Sequence, residues 1–222
     1  MKNLVLFLLL LTFSVAVSQN EKDEIDKIID EMCTDFKLNE NLKDEIRFEI
    51  LNQSFIYPYL NQFSEGEQEE KINELFYRFQ RQCAHYRAYL IEVRPQESEN
   101  WIQLFERPEI TVTDTQLEFF KNHSQFYYFE YGGDKTQVTK NKNYWIDAFS
   151  DGTTSKSFFK WIDKTRFELE FIESSNVGRQ NFSKKGDKYI YQIISKESDF
   201  FWLLVEIPGQ SEMLKFKLFI EE

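Results

Sequence analysis

Apolar positions recur every three or four residues from about residue 21 to residue 90, and every second residue after Asn122. The first period predicts helices. From Glu21 to Phe36, residues Ile25, Ile28, Ile29, Met32, Cys33 and Phe36 share one face, and Glu21, Asp23, Glu24 and Asp26 crowd the first turns, where the helix dipole is positive. A second helix is expected from about Asn41, using Leu42, Ile46, Ile50 or Leu51, and Phe55. Pro58 should stop or kink it, because proline has no amide hydrogen and its ring clashes with the preceding turn. The third signal is the clearest. Ser64 and Glu67 have capping-box spacing, and Ile72, Leu75, Phe76, Phe79, Cys83, Tyr86 and Leu90 follow as one run that ends before Arg94-Pro95. Three such helices predict a small bundle.

Residues 96–121 are polar and irregular apart from Trp101, Ile102, Leu104 and Phe105. They are expected to form a linker with an apolar anchor that docks the two halves. Thr113 and Gln116 repeat the capping spacing, which predicts a short helix over 114–121 presenting Leu117 and Phe120. Beyond it, strands are expected over Phe126–Tyr131, Tyr144–Phe149, Ser157–Ile162, Phe167–Ile172, Lys188–Ile194, Phe200–Ile207 and Leu214–Ile220, with a weaker one at Thr136–Lys140. Short polar turns such as Asp151-Gly152 and Asp163-Lys164-Thr165 make neighbours antiparallel. Most strands alternate. Phe200 to Val205 does not, so both of its faces must be covered, and the helical half is the nearest candidate cover.

The expected fold class is therefore α+β: an N-terminal helical bundle packed on an antiparallel β-meander, in the form of a small lipocalin-like barrel or half-barrel. Pattern alone leaves closure open. The expected organisation is a signal peptide at 1–18, a helical domain at 19–95, a linker with a short helix at 96–121 and a β-meander domain at 122–222. Lys2, the apolar run Leu4 to Leu11 and the small residues Ala16-Val17-Ser18 have the layout of an export signal cleaved before Gln19. The expected product is a periplasmic or extracellular protein with no stable membrane insertion after cleavage.

Composition removes several chemistries. A net charge of −11, with both halves acidic, gives no footprint for nucleic acid. Two histidines make a zinc site or a histidine-based triad poorly supplied, and 7 glycines argue against phosphate-cradling loops. No nucleophile elbow, zincin helix, P-loop or dinucleotide fingerprint occurs, and no cofactor or metal is expected. Cys33 and Cys83 lie on the apolar stripes of their helices, and in an exported chain they are disulfide candidates. Two buried thiols are the alternative. Glu168 and Glu170 share a strand face about 7 Å apart, a spacing compatible with glycosidase carboxylates and equally with a solvated face. Asp147 and Asp151 flank a hairpin tip. The 23 Phe and 11 Tyr either pack a core or, with Trp145, Trp161 or Trp202 nearby, line a seat for an apolar ligand.

The run Gly152-Thr-Thr-Ser155-Lys156-Ser157-Phe-Phe-Lys160-Trp161-Ile162-Asp163, then Phe167-Glu168-Leu169-Glu170-Phe171, Lys185-Gly186-Asp187 and Lys215-Phe-Lys217-Leu, resembles small exported proteins of Bacteroidota type. It covers about the last 80 residues. The resemblance implies export and a β-meander, and it transfers no catalytic or binding residue.

Taken together, these features give a soluble exported binding or interaction protein that holds either an apolar small molecule or a protein partner. The competing expectations are a carboxylate-based hydrolase using Glu168 and Glu170, and a structural component of the envelope.

Overall fold

The structure is a computed structural model that describes residues 24–93, 98–208 and 213–221. The export segment expected over 1–18 lies outside the described residues. Two compact units meet in sequence between Leu90 and Ile91.

In the first unit, α1 spans residues 24–38, α2 is Asp44–Leu51, α3 is Tyr57–Leu60, α4 is Glu65–Gln82 and α5 is Ala84–Val93. Pro58 does not stop its helix. A π-helical stretch, Asn52–Ile56, joins α2 to α3 without a break, and the amide of Tyr57 donates to the Asn52 carbonyl. The wider turn absorbs the missing proline amide before the chain returns to α geometry. The single third helix predicted from Ser64 is instead two. The α4 helix begins on the expected capping box, with the Ser64 amide donating to Glu67 Oε2 at 3.0 Å. It ends at Cys83, whose backbone is extended (φ −90°, ψ 104°). Cys83 Sγ then accepts the Tyr86 amide at 3.4 Å, as a capping oxygen would, so α5 starts on a fresh cap.

Cys33 and Cys83 form a disulfide, with Cα atoms 5.4 Å apart. Ile25, Ile29, Met32 and Phe36 of α1 are buried with Leu51, Tyr59, Leu75, Phe79 and Tyr86, which is the stripe the spacing predicted. The Phe36 ring meets Phe79 and Tyr86 edge-on at 5.9 and 5.3 Å. Its carbonyl, near the C-terminal end of α1, accepts from Arg47 Nη2 at 2.7 Å. A buried guanidinium therefore caps a helix end whose carbonyls have no partner within the helix.

The second unit holds β1 (Trp101–Leu104), α6 (Asp114–Asn122), β2 (Gln125–Phe129), β3 (Lys135–Lys140), β4 (Tyr144–Ala148), β5 (Thr154–Trp161), β6 (Arg166–Ser174), α7 (Val177–Phe182), β7 (Lys188–Lys196), β8 (Phe200–Glu206) and β9 (Met213–Ile220). Every pairing is antiparallel, from β2 to β9 in chain order. The last strand, β9, pairs with β8 along Phe200↔Phe219 to Glu206↔Met213 and returns to β2 through Phe126↔Ile220 and Tyr127↔Phe219. The meander closes as an eight-stranded, lipocalin-like barrel. A closed sheet has no free edges, which disposes of unpaired backbone groups. The anchor in the expected linker proves to be a ninth strand, since β1 pairs with the Met213 to Phe216 stretch of β9. Trp101 Nε1 also donates to the Phe129 carbonyl at 2.5 Å, supplying a partner where β2 and β9 have parted.

Turns formed where the sequence placed them. In the β4–β5 turn Gly152 takes φ +82°, a conformation that residues with a Cβ rarely adopt, and Asp151 Oδ1 accepts the Thr153 amide at 2.9 Å.

Alternation sends Phe201, Leu203 and Val205 of β8 into the barrel core, while Phe200, Trp202 and Leu204 form a second cluster with Ile194. That cluster accounts for the unbroken apolar run. Leu104, Met213 and Phe219 pack against it, all from the same unit, and Thr111 and Val112 ahead of α6 both donate to the Ile194 carbonyl, at 2.9 and 3.0 Å.

Candidate functional site

The barrel's two ends are built from different chemistry. At one end α6 acts as a plug. Its N-terminus is set by Thr113, whose Oγ1 accepts the Gln116 amide at 3.3 Å while Gln116 Oε1 takes the Thr113 amide at 2.9 Å. Leu117 and Phe120 are thereby aimed inward. The fully buried Phe120 ring meets Phe126 at 5.1 Å, Phe201 at 5.2 Å, Phe167 at 5.8 Å and Trp161 at 6.1 Å. Lys140, itself buried, donates to the Lys121 carbonyl in the last turn of α6 at 3.1 Å, and burial lowers its pKa. Protein rings fill this half of the lumen.

The other end is polar. Here the inward row carries Tyr128 after Phe126 on β2 and Glu130 just past that strand, Asp147 after Trp145 on β4, and Tyr189 and Tyr191 on β7. The short α7 helix sits in the β6–β7 connection. Asn176 caps it by accepting the Arg179 amide at 3.1 Å, which fixes where Arg179 emerges. Arg179 Nη2 donates to Glu130 Oε1 and Oε2 at 2.9 and 3.1 Å and lies 3.5 Å from the Tyr128 hydroxyl. Ser183, just past α7, is bonded to the Tyr189 hydroxyl.

Asp147 is the unusual member of this group. Trp145 Nε1 donates to its Oδ1 at 2.9 Å, and its other oxygen has no hydrogen-bond partner among the described residues. Burial pushes its carboxyl up to about 6, against the pull of Arg179 and of the Trp145 hydrogen bond, and Glu130 adds to the rise. The Tyr191 hydroxyl likewise has no hydrogen-bond partner among the described residues. Burial, with Asp147 second, raises its pKa. Burial also raises Tyr128, and it lifts Tyr131 to about 12 with help from Glu130. For Arg179 burial acts against the charge, but Tyr128, Glu130 and Asp147 outweigh it, and the guanidinium holds its proton more tightly. The result is a fixed carboxylate–guanidinium pair beside a half-buried acid with acceptor capacity to spare.

Comparisons with known proteins add nothing to this geometry. No protein-family model, curated protein or solved structure matches the chain.

The residues singled out from the sequence fall in different places. Trp145 lies inside the barrel, stacked 5.7 Å from Phe167 and 6.2 Å from Tyr191. Trp161 belongs to the plugged end, where its ring crosses Phe167 at 5.7 Å. Trp202 is on the other face of β8 from the barrel core, with Nε1 donating to Glu197 at 2.9 Å and Lys215 Nζ 4.0 Å from its ring centre. Glu168 and Glu170 alternate with the inward Phe167, Leu169 and Phe171, and Lys188 Nζ lies 3.0 and 3.7 Å from their carboxylates. His123 stacks on Phe119 and reaches the Glu221 carbonyl at 3.1 Å, while His85 is exposed. No group of potential metal ligands forms among the described residues.

Sequence reasoning missed Tyr128, Glu130, Arg179 and Tyr191. Two signals were present. Glu130 extends the inward row Phe126, Tyr128, so it is a charge on an apolar face, and Asn176 stands three residues before Arg179 as a helix cap would.

Proposed function

We propose that the barrel unit is a binding module of an exported protein, and that its ligand sits at the α7 end of the lumen. One observation carries this reading: the unpartnered Asp147 oxygen and Tyr191 hydroxyl converge with the Arg179–Glu130 pair at one end of an otherwise apolar interior. A few convergent polar groups on an aromatic floor are what a small-molecule seat requires. The deeper half is occupied by Phe120 and its neighbours, so the seat is the mouth.

Export, and kinship with exported proteins of Bacteroidota type, remain readings of the sequence. The Cys33–Cys83 bond supports export, because such bridges persist in oxidising compartments. Among the described residues, no helix is long and apolar enough to cross a membrane. The hydrolase alternative draws little support, since Glu168 and Glu170 share Lys188 and stand apart from the polar end.

The test is a titration with the neutral fluorophore N-phenyl-1-naphthylamine, followed by amide chemical-shift mapping. Saturable binding that moves the amides of Asp147, Arg179 and Tyr191 is expected. Shifts confined to other regions, or no saturable signal, would overturn the reading.

A further inference from the structure

The charges at the α7 end do not balance. Among the described residues Arg179 is the one cation that acts on this cluster, and Glu130 already engages it with both oxygens. What remains around Asp147 is neutral: the Trp145 indole N–H and the hydroxyls of Tyr128 and Tyr191. Arg179 influences Asp147 at a distance and makes no hydrogen bond to it. A half-buried carboxylate with one hydrogen bond and no ion partner is unfavourable by itself, and a cation placed against its open oxygen would relieve it.

The surrounding walls suit the same guest. Trp145 and Tyr191 stack 6.2 Å apart, and Tyr128 and Tyr191 flank Phe216 at 5.8 and 6.1 Å. Aromatic faces attract organic cations and accept an apolar body beside the charge. An anionic guest fares worse. It would meet two carboxylates, Glu130 and Asp147, and a guanidinium whose charge Glu130 already pairs through Nη2.

We propose that the mouth takes an organic ammonium, a protonated amine on an aromatic or aliphatic body, with Asp147 as its counter-ion and the Tyr191 hydroxyl as a second acceptor. This rests on the mouth being the ligand seat. Of the groups facing Asp147, the Arg179 guanidinium and the Tyr128 and Tyr191 hydroxyls keep their protonation state between pH 5 and 7.5, and the Glu130 carboxylate is hydrogen-bonded to Arg179. Asp147 is the group that changes charge there, so acid should release the amine.

The experiment is calorimetry on the full chain with three probes of one shape: 2-phenylethylamine, 2-phenylethanol and 3-phenylpropionate. The amine is expected to bind most tightly at pH 7.5 and to weaken on acidification to pH 5. Asp147→Asn should weaken the amine by about 10- to 100-fold, the range for a charged hydrogen bond, and weaken the alcohol by a much smaller factor. Near-UV circular dichroism checks that the variant is folded. If it is not, the pH series on the unaltered protein decides, and an amine affinity that stays flat from pH 7.5 to 5 overturns the assignment. So does tighter binding of the propionate, an Asp147→Asn effect below twofold, or no amine binding at millimolar concentration. In each of those cases saturable N-phenyl-1-naphthylamine binding at the mouth would still uphold the seat itself, and its absence would remove both.

Discussion

Arg179 donates through one nitrogen to both carboxylate oxygens of Glu130, at 2.9 and 3.1 Å, across 49 residues of sequence. The contact ties the β6–β7 connection to the end of β2. It also turns Arg179 towards Glu130, so Asp147 feels the guanidinium charge without a direct ion pair among the described residues. The polar end is thus divided into a satisfied pair and an unsatisfied acid, and four predictions follow from how this end and its surroundings are built.

The first concerns pH. Asp147 has a folded-state pKa of about 6 against an ordinary 3.8. A carboxyl raised in this way binds its proton more tightly in the folded chain than in the unfolded one. It therefore costs stability above pH 6, and that cost is relieved as pH falls from 6 towards 3.8. The cost is on the order of 2 kcal/mol once partial solvent access is allowed for. Asp147→Asn should melt higher than the parent protein at pH 7.5, with the advantage gone by about pH 4. Calorimetric melts across that range check it, and an undiminished advantage at pH 4 would contradict it.

Replacing Arg179 tests the pair from its other side. Arg179→Met leaves Glu130 without its ion partner and removes the cation that holds Asp147 down, so the Asp147 carboxyl should titrate above 6. Side-chain carbon chemical shifts followed by NMR measure that directly. The Arg179 side chain is 40% exposed, which limits the loss of stability to about 1 kcal/mol.

Breaking the Cys33–Cys83 bond should act on the helical unit. The bridge spans a sequence separation of 50, and the chain-entropy relation gives about 4 kcal/mol as an upper figure for a loop of that size. All four tryptophans, Trp101, Trp145, Trp161 and Trp202, belong to the barrel unit, so indole fluorescence reports on that unit. On reduction the helical ellipticity should be lost at a lower temperature while the fluorescence transition stays in place. Equal shifts in both signals would refute this.

Phe120 is the centre of the plug. Its four ring contacts and complete burial put Phe120→Ala in the class of large-to-small core changes that cost about 3 to 5 kcal/mol, read from urea unfolding. The same variant opens apolar space at the α6 end, and a second equivalent of N-phenyl-1-naphthylamine bound there would show that the plug, rather than the barrel wall, keeps that half of the lumen closed.

Much of this molecule was legible one segment at a time. The change of period near Asn122 separates helices from strands, the Ser64 and Thr113 caps start α4 and α6, and the Asp-Gly and Asp-x-Thr turns make the meander antiparallel, because each of these depends on residues within a few positions of one another. Cys83 marks where that local logic failed, and Pro58 where it did not foresee how the chain would continue. A π turn absorbed the proline, and Cys83, tied to Cys33, cut a continuous apolar stripe into two helices. Closure was beyond local reading, since it depends on β9 meeting β2 and on the four-residue β1 finding β9 far along the chain, and strand pairing between distant segments leaves no periodic trace in either. The candidate site belongs to the same class. Glu130 follows β2, while Asp147, Arg179 and Tyr191 come from β4, α7 and β7, and each reads alone as an ordinary polar residue of its segment. Sequence determined what each segment is, through short-range geometry and the burial of apolar faces. Tertiary structure decided which polar groups share one low-dielectric end of the barrel, and that proximity sets their charge.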